Sequence, residues 1–341
     1  MKQQKETKPA VTLAYLLAAV VTACLAFLSL VGSGYLVPDE KPFANAFHGE
    51  FQKYAEETVD VNHDGVFAKE EMDAVETISL PELPDYIKCT EWNSQWLSVF
   101  PNLTTFTCQR WGIEELSLRN NPKLAVLDCS HNMIETLDLS SNTELESVDC
   151  SEQGRMEQWT YTPLMYEGMK KLILGDNPKL RVLNLETNDV AVLNLAGAPS
   201  LEVLNCGGNQ LIQLDLSANT KLQELKCESN YLVVLDVSGQ PELKLLYCGA
   251  NLLTELRLGT ETEFLEELEC DSNHLTKLDV HGSPKLWNLV CESNWLEELD
   301  ISYCPKLIYV GCMYNNNTKI NAVGCSEELW ISTEPGQTVT K

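Results

Sequence analysis

Residues 60–71 run Asp60-Val61-Asn62-His63-Asp64-Gly65-Val66-Phe67-Ala68-Lys69-Glu70-Glu71. Asp60, Asn62 and Asp64 place side-chain oxygens at alternate positions. Gly65 permits a sharp turn, and Glu71 ends the segment with a carboxylate able to bind through both oxygens. An all-oxygen set suits a hard divalent cation, and the chemistry it predicts is binding of Ca2+. The competing reading is an acidic loop that holds no ion. Other chemistry is scarce. The histidines are His48, His63, His131, His274 and His281, and none stands in a nucleophile or zinc-ligand motif. No glycine-rich phosphate loop is present. Carboxylate pairs such as Glu267 and Glu269 are expected by chance in so acidic a chain. The sequence therefore predicts a binding protein and no enzyme.

The 60–71 spacing matches an EF-hand calcium loop. The resemblance implies ligation by Asp60, Asn62, Asp64, the Val66 carbonyl and Glu71, with Ala68 acting through a water. It also places Phe67 in the core between an entering helix over 43–59 and a leaving helix over 69–75. The placement is similar to bacterial repeat proteins in which one calcium loop leads into the first coil. A lone loop lacks its usual partner loop, so the expected affinity is modest, ~10⁻⁴–10⁻³ M, and the ion structural: it would close the exposed end of a stack.

That stack is written in the repeat. Leu201, Leu204, Cys206, Asn209, Leu211, Leu214 and Leu216 recur as Leu222, Leu225, Cys227, Asn230, Leu232, Leu235 and Val237, an interval of 21 residues. Units begin at Leu103, Leu124, Leu145, Leu180, Leu201, Leu222, Leu243, Leu265, Leu286 and Leu307. One extra residue lies between 243 and 265, and the step from 145 to 180 carries an insertion of 14. A coil this short cannot bury its apolar residues alone, whereas stacked coils share one core. Segments such as 222–227 then pair as parallel strands ~4.8 Å apart, and period-2 alternation sends Glu224 and Lys226 to solvent.

The pattern Leu-x-x-Leu-x-Cys-x-x-Asn-x-Leu resembles bacterial leucine-rich repeats, internalin-like and closest to the 21-residue nested type called IRREKO. It covers roughly residues 80–330. The resemblance implies a parallel β-solenoid of about ten coils with a small helical EF-hand-like cap, presenting its strand face to a protein or glycan. The expected divisions are an export signal or anchor over 1–34, a calcium unit over 35–80, an N-terminal cap over 81–102, the solenoid over 103–325 with its insertion near 154–168, and a C-terminal cap and tail over 326–341.

Three columns follow from the period. Asn132, Asn188, Asn209, Asn230, Asn251, Asn273, Asn294 and Asn315 are expected to satisfy backbone groups at the turn after each strand, with Trp111 and Gln153 breaking the column. Cys108, Cys129, Cys150, Cys206, Cys227, Cys248, Cys270, Cys291 and Cys312 share a slot that Leu185 fills once, which marks small buried hydrophobes. Cys304 and Cys325 share another slot and are the best disulfide candidates. Asp138, Asp215, Asp236, Asp279 and Asp300 form the third column, expected to bond turn amides.

Solvent-facing positions vary along the stack. Early strands carry Asp128, Asp149, Asn184 and Asn205, whereas later ones carry Tyr247, Trp287 and Tyr309, with Tyr231, His274, Trp295 and Tyr314 at the turns. Grouped exposed aromatics mark interfaces, so these are the expected partner-binding residues. Trp159 and Tyr161 in the insertion, beside Arg155, Met165 and Tyr166, form a second candidate surface.

The bulk properties agree with a binding role outside the cytoplasm. Fifty acidic residues against 24 basic give a net charge of -26, which excludes nucleic acid as a partner. Lys2, Lys5 and Lys8 precede an uncharged apolar run from Val11 to Val31, which predicts export with the body outside. An uncleaved anchor that would make the membrane a partner, cleavage near Ser33 or Gly34, and lipidation at Cys24 are all open, and each places the body at the cell surface or in the periplasm. Two roles fit: recognition of a foreign protein or glycan, or a self-assembling envelope scaffold.

Overall fold

The computed structural model describes residues 49–81, 92–154, 167–260, 262–316 and 318–341. The run over 11–31, Cys24, His48 and the insertion residues Arg155, Trp159, Tyr161, Met165 and Tyr166 lie outside these. Among the described residues no helix is long and apolar enough to cross a membrane.

The chain is a parallel β-solenoid. Its long sheet has twelve strands, each of three residues, running in chain order from Thr77–Ser79 through Thr105–Thr107, Glu224–Lys226 and Leu245–Tyr247 to Tyr309–Gly311 and Trp330–Ser332. Pairing follows the repeat: Leu204 lies beside Leu225, Leu225 beside Leu246, and Leu246 beside Leu268. The insertion leaves this register intact, since Ser147 pairs with Val182. The sheet extends beyond the ten sequence units at each end. Ile78 and Ile331 take the central strand slot there, but the full Leu-Cys-Asn signature is absent, so a count of complete repeats stops short. Half a coil away, shorter ladders form a second face: Thr136–Asp138 with Lys171–Ile173, Val234–Asp236 with Glu255–Arg257, and Glu298–Asp300 with Lys319–Asn321 and Thr338–Thr340.

Counting the first leucine of each coil as position 1, the asparagine column is position 9. Its amides do what the sequence requires: Asn230 Nδ2 donates to the carbonyls of Cys206, Cys227 and Glu228, and its Oδ1 accepts from Leu211 N at 2.9 Å. Gln153 continues the column instead of breaking it. Its Oε1 accepts from Ile134 N at 3.1 Å and its Nε2 donates to Cys129 O at 2.8 Å, the longer side chain reaching the same partners. Trp111 is a true exception and donates from its indole to Pro81 O. The residue before this column holds positive φ in every coil, from Arg110 and His131 to Tyr314.

The nine cysteines at position 6 are fully buried and free. Burial pushes thiols such as Cys108, Cys129 and Cys227 well above their ordinary range. Cys304 and Cys325, the best disulfide candidates of the sequence, are also free. They belong to position 19, where several side chains donate to carbonyls of the preceding coil. Cys325 Sγ points at Ile301 O at 3.2 Å, just as Asn142 Nδ2 points at Leu118 O at 2.9 Å. Each aspartate of the third column accepts from the amide two residues on, Asp215 from Ser217 N and Asp300 from Ser302 N. The Ser217 amide and hydroxyl hold Asp215, and the Ser302 hydroxyl then its amide hold Asp300, below the usual carboxylate range.

Candidate calcium loop and partner-binding surface

Helix α1 (Gly49–Thr58) enters the 60–71 loop and helix α2 (Lys69–Ala74) leaves it. Phe51 and Ala55 of α1, Phe67 of the loop and Met72 of α2 are buried, so the unit has its own apolar seam. It docks on the first coil. Phe51 stacks on Trp96 at 5.1 Å and meets Trp92 edge-on at 5.9 Å, and Trp92 in turn stacks on Phe106 of the second long-sheet strand. Ser79 N donates to Tyr54 Oη at 3.1 Å, and Asn102 Nδ2 donates to Asp73 O at 2.7 Å.

Within the loop, backbone amides bond the side-chain oxygens. Asp60 accepts from Asp64 N and Gly65 N, Asn62 Oδ1 from Asp64 N, and Asp64 Oδ1 from Val66 N. Glu71 spans the loop, accepting from Ala68 N at 3.0 Å and Asn62 N at 3.4 Å. His63 and Gly65 take positive φ to make the turn. Asp60 is only 3% exposed, a buried carboxylate bonded to amides alone. Among the described residues no three His, Cys, Asp or Glu side chains are gathered as a metal ion by itself would require. A cation here would also draw on the Asn62 amide and the Val66 carbonyl. The donor set fits calcium: hard, all oxygen, and flexible enough for a large coordination shell.

The aromatic residues singled out in the sequence separate onto two surfaces. On the long sheet, Tyr309 sits at position 3 beside Trp330 of the last strand, ring centroids 5.3 Å apart. Trp330, 68% exposed, is a residue the repeat count missed, because it lies past the last complete unit. Trp287 and Ile308, at position 2 of the two preceding coils, are exposed, and with Trp330 and the half-buried Tyr309 they lie at the C-terminal end of the strand face. Tyr247 is held within the sheet instead. Its hydroxyl donates to Glu267 Oε2 at 2.9 Å and Lys226 lies over its ring. Burial, then Glu267, pushes its phenol up to about 12. Tyr231, His274 and Trp295 share position 10 on the flank, with Leu252 between Tyr231 and His274, and His274 stacks on Trp295 at 4.8 Å. Reading that position as a column would have joined Leu252 to the aromatics. Tyr314 stands on the positive-φ position of its coil and is exposed.

The strand face between these groups is acidic. Burial raises the Glu228 carboxyl above its usual range, and burial followed by Asp271 and Glu267 raises that of Glu269. A carboxyl whose folded pKa is raised costs stability when ionised, a cost that disappears as pH falls to the unfolded value. Glu269→Gln will therefore raise the melting temperature at neutral pH. The difference will vanish below about pH 4, near the pKa of an unfolded glutamate, as thermal melts across pH will read.

No family model matches the sequence, and comparison with curated proteins finds no match. Comparison with solved structures defines the class: the chain has the leucine-rich-repeat fold. It is similar to the functional domain of InlJ from Listeria monocytogenes, which includes a cysteine ladder (21% identity, TM-score 0.60, 86% of this chain and 70% of that one). It is similar also to the internalin InlF of L. monocytogenes (18%, 0.60, 88% and 93%) and to the leucine-rich effector YopM of Yersinia pestis (22%, 0.56, 80% and 73%).

Proposed function

We propose that this chain is an exported recognition module that binds a protein or glycan through the C-terminal part of its strand face, with a structural calcium ion in the 60–71 loop. The observation that carries the reading is the ring pair of Tyr309 and exposed Trp330, with exposed Trp287 and Ile308 on the same end of the strand face. Large rings held open on a rigid sheet can stack on sugar rings or fill the pockets of a protein partner. The fold has no need of them, since the core beneath is complete without their contribution. The parallel ladders set their spacing, so a ligand meets a surface that is already organised. The test is to screen the full chain, in mild detergent, on glycan and protein arrays. A hit lost in Tyr309→Ala, Trp330→Ala and their double variant supports the reading. Binding indifferent to these residues, or none at all, removes it.

The calcium ion would be held by Asp60, Asn62, Asp64, the Val66 carbonyl and Glu71. It would supply the positive charge that the buried Asp60 lacks and tie α1 to α2. Because α1 and the loop seat the aromatic cluster of Phe51, Trp92 and Trp96, a bound ion closes the N-terminal end of the core. The expected result is that the cap gains about 2 kcal/mol at free calcium ~30-fold above Kd. Hydrogen exchange of residues 49–80 in calcium and in chelator will read this. Asp60→Ala and Glu71→Ala will abolish the difference, and equal exchange in both buffers for the parent protein would refute the ion's role.

A further inference from the structure

The flank after the asparagine turn, positions 10, 12 and 13 of each coil, carries apolar surface that the fold leaves uncovered. Val192 is 70% exposed, Ile212 66%, Tyr231 54%, Val233 47%, Leu252 41% and Val234 40%. These residues fall on four consecutive coils, beginning at Leu180, Leu201, Leu222 and Leu243. At positions 10, 12 and 13 of the two middle coils the outward residues are Gln210, Ile212, Gln213, Tyr231, Val233 and Val234, uncharged in a chain of net charge -26, while Asp215 and Asp236 edge them at position 15. An apolar, uncharged patch on so acidic a molecule is the natural place for a copy to approach, because everywhere else like charge repels.

The charges on either side of the patch are ordered. Taking the coil of Leu222 as the centre, Asp215 stands one coil before it and Arg257 one coil after, both at position 15. Three coils before, positions 12 and 13 are Lys170 and Lys171, and three coils after, the same positions are Glu297 and Glu298. Four coils out, Glu135 lies on one side and Lys319, one position along, on the other. Every one of these side chains is exposed, and Lys170 and Arg257 retain 45% and 51% side-chain exposure despite their ion pairs within the chain.

From this arrangement we propose that a second copy of the chain docks on the flank, antiparallel, about a two-fold axis that runs along the strand direction through the coil of Leu222. Such an axis sets each coil against its mirror in order, with position facing like position. Tyr231, Val233 and Val234 meet their own counterparts, and Asp236 meets its own beside the Arg257 with which it pairs. Arg257, already paired with Asp236 of its own chain at 3.3 Å, meets Asp215 of the other. Lys170 and Lys171 meet Glu297 and Glu298, and Lys319 meets Glu135. The parallel alternative sets each coil against itself, lysine on lysine and glutamate on glutamate, and charge selects against it. The nine coils from Glu135 to Lys319 span ~40 Å at ~4.8 Å per strand. A flank ~20 Å wide then buries on the order of 800 Å² per copy, the area of a standard stable interface. The long sheet lies half a coil away and stays open in both copies, so the pair would present two recognition faces and gain avidity for a repeated ligand.

Sedimentation velocity of the full chain in mild detergent tests the interface by charge reversal. Glu297→Lys with Glu298→Lys is expected to weaken dimerisation at least tenfold, and Lys170→Glu with Lys171→Glu to do the same. The four changes together restore the dimer, which a misfolded variant would not do. A second measurement uses Val233→Cys, on the axis coil, which should form an intermolecular disulfide under mild oxidation by dissolved oxygen, while Glu224→Cys on the open strand face does not. A monomeric parent, a dimer insensitive to both charge pairs, no restoration in the fourfold variant, or equal crosslinking at positions 233 and 224 would each overturn the proposal.

Discussion

Asn132→Ala is expected to destabilise the N-terminal coils by about 3–5 kcal/mol. Asn132 is fully buried and makes five bonds at once. Its Oδ1 accepts from Trp111 N and Ile113 N, and its Nδ2 donates to the carbonyls of Cys108, Cys129 and Ser130 at 2.8–3.1 Å. Alanine leaves two amides without an acceptor in a place water does not reach, at about 1–3 kcal/mol each, and opens a void besides. Because coils touch only their neighbours, the damage stays local: exchange protection falls across the coils of Leu103 and Leu124 while those beyond Leu201 keep theirs. Asn132→Gln separates the lost bonds from lost volume. The same slot one coil on holds Gln153 with an equivalent set of partners, so the glutamine variant should recover much of the stability. Uniform loss along the chain, or none, would contradict this account.

Removing both rings of the strand-face pair, Tyr309→Ala with Trp330→Ala, should weaken partner binding by about 2–4 kcal/mol, roughly 30- to 1,000-fold. Trp330 projects from the terminal strand, and its support comes from one side only, where Tyr309 lies 5.3 Å away. Gly311 leaves room for the Tyr309 hydroxyl: any Cβ there would come within about 3 Å of both that hydroxyl and a Glu292 carboxylate oxygen. The pair is thus preorganised, and most of the loss should appear as faster dissociation. Surface plasmon resonance against the array-identified ligand will read it. Neither ring contributes to the sealed core, so the melting temperature should stay near the parent value. Equal loss in a Tyr314→Ala control would show that the effect is unspecific.

Much of the solenoid was legible before any coordinates. Leucine at fixed intervals of 21 can be buried only by stacking, so the parallel ladders, the inward leucines and the buried cysteine column follow from spacing alone. The role of the asparagines also follows, since a buried amide beside a turn has no other use. The oxygen donors of the 60–71 loop could be named from residue type and order. The two outermost strands could not, because Ile78 and Ile331 keep the strand slot without the surrounding signature.

Sequence therefore determined which residues go inside and how one coil lies on the next, because burial of periodic apolar side chains is a local rule repeated along the chain. Tertiary structure decided which exposed residues become neighbours. Tyr309 meets Trp330 because two coils are stacked in register, and Tyr231, Leu252, His274 and Trp295 become a column because their position recurs on one flank. Gln153 keeps its place in the asparagine ladder because one extra methylene still reaches the same carbonyls. Contacts between side chains far apart in sequence depend on three-dimensional register and reach, and neither is written in the identity of a single residue.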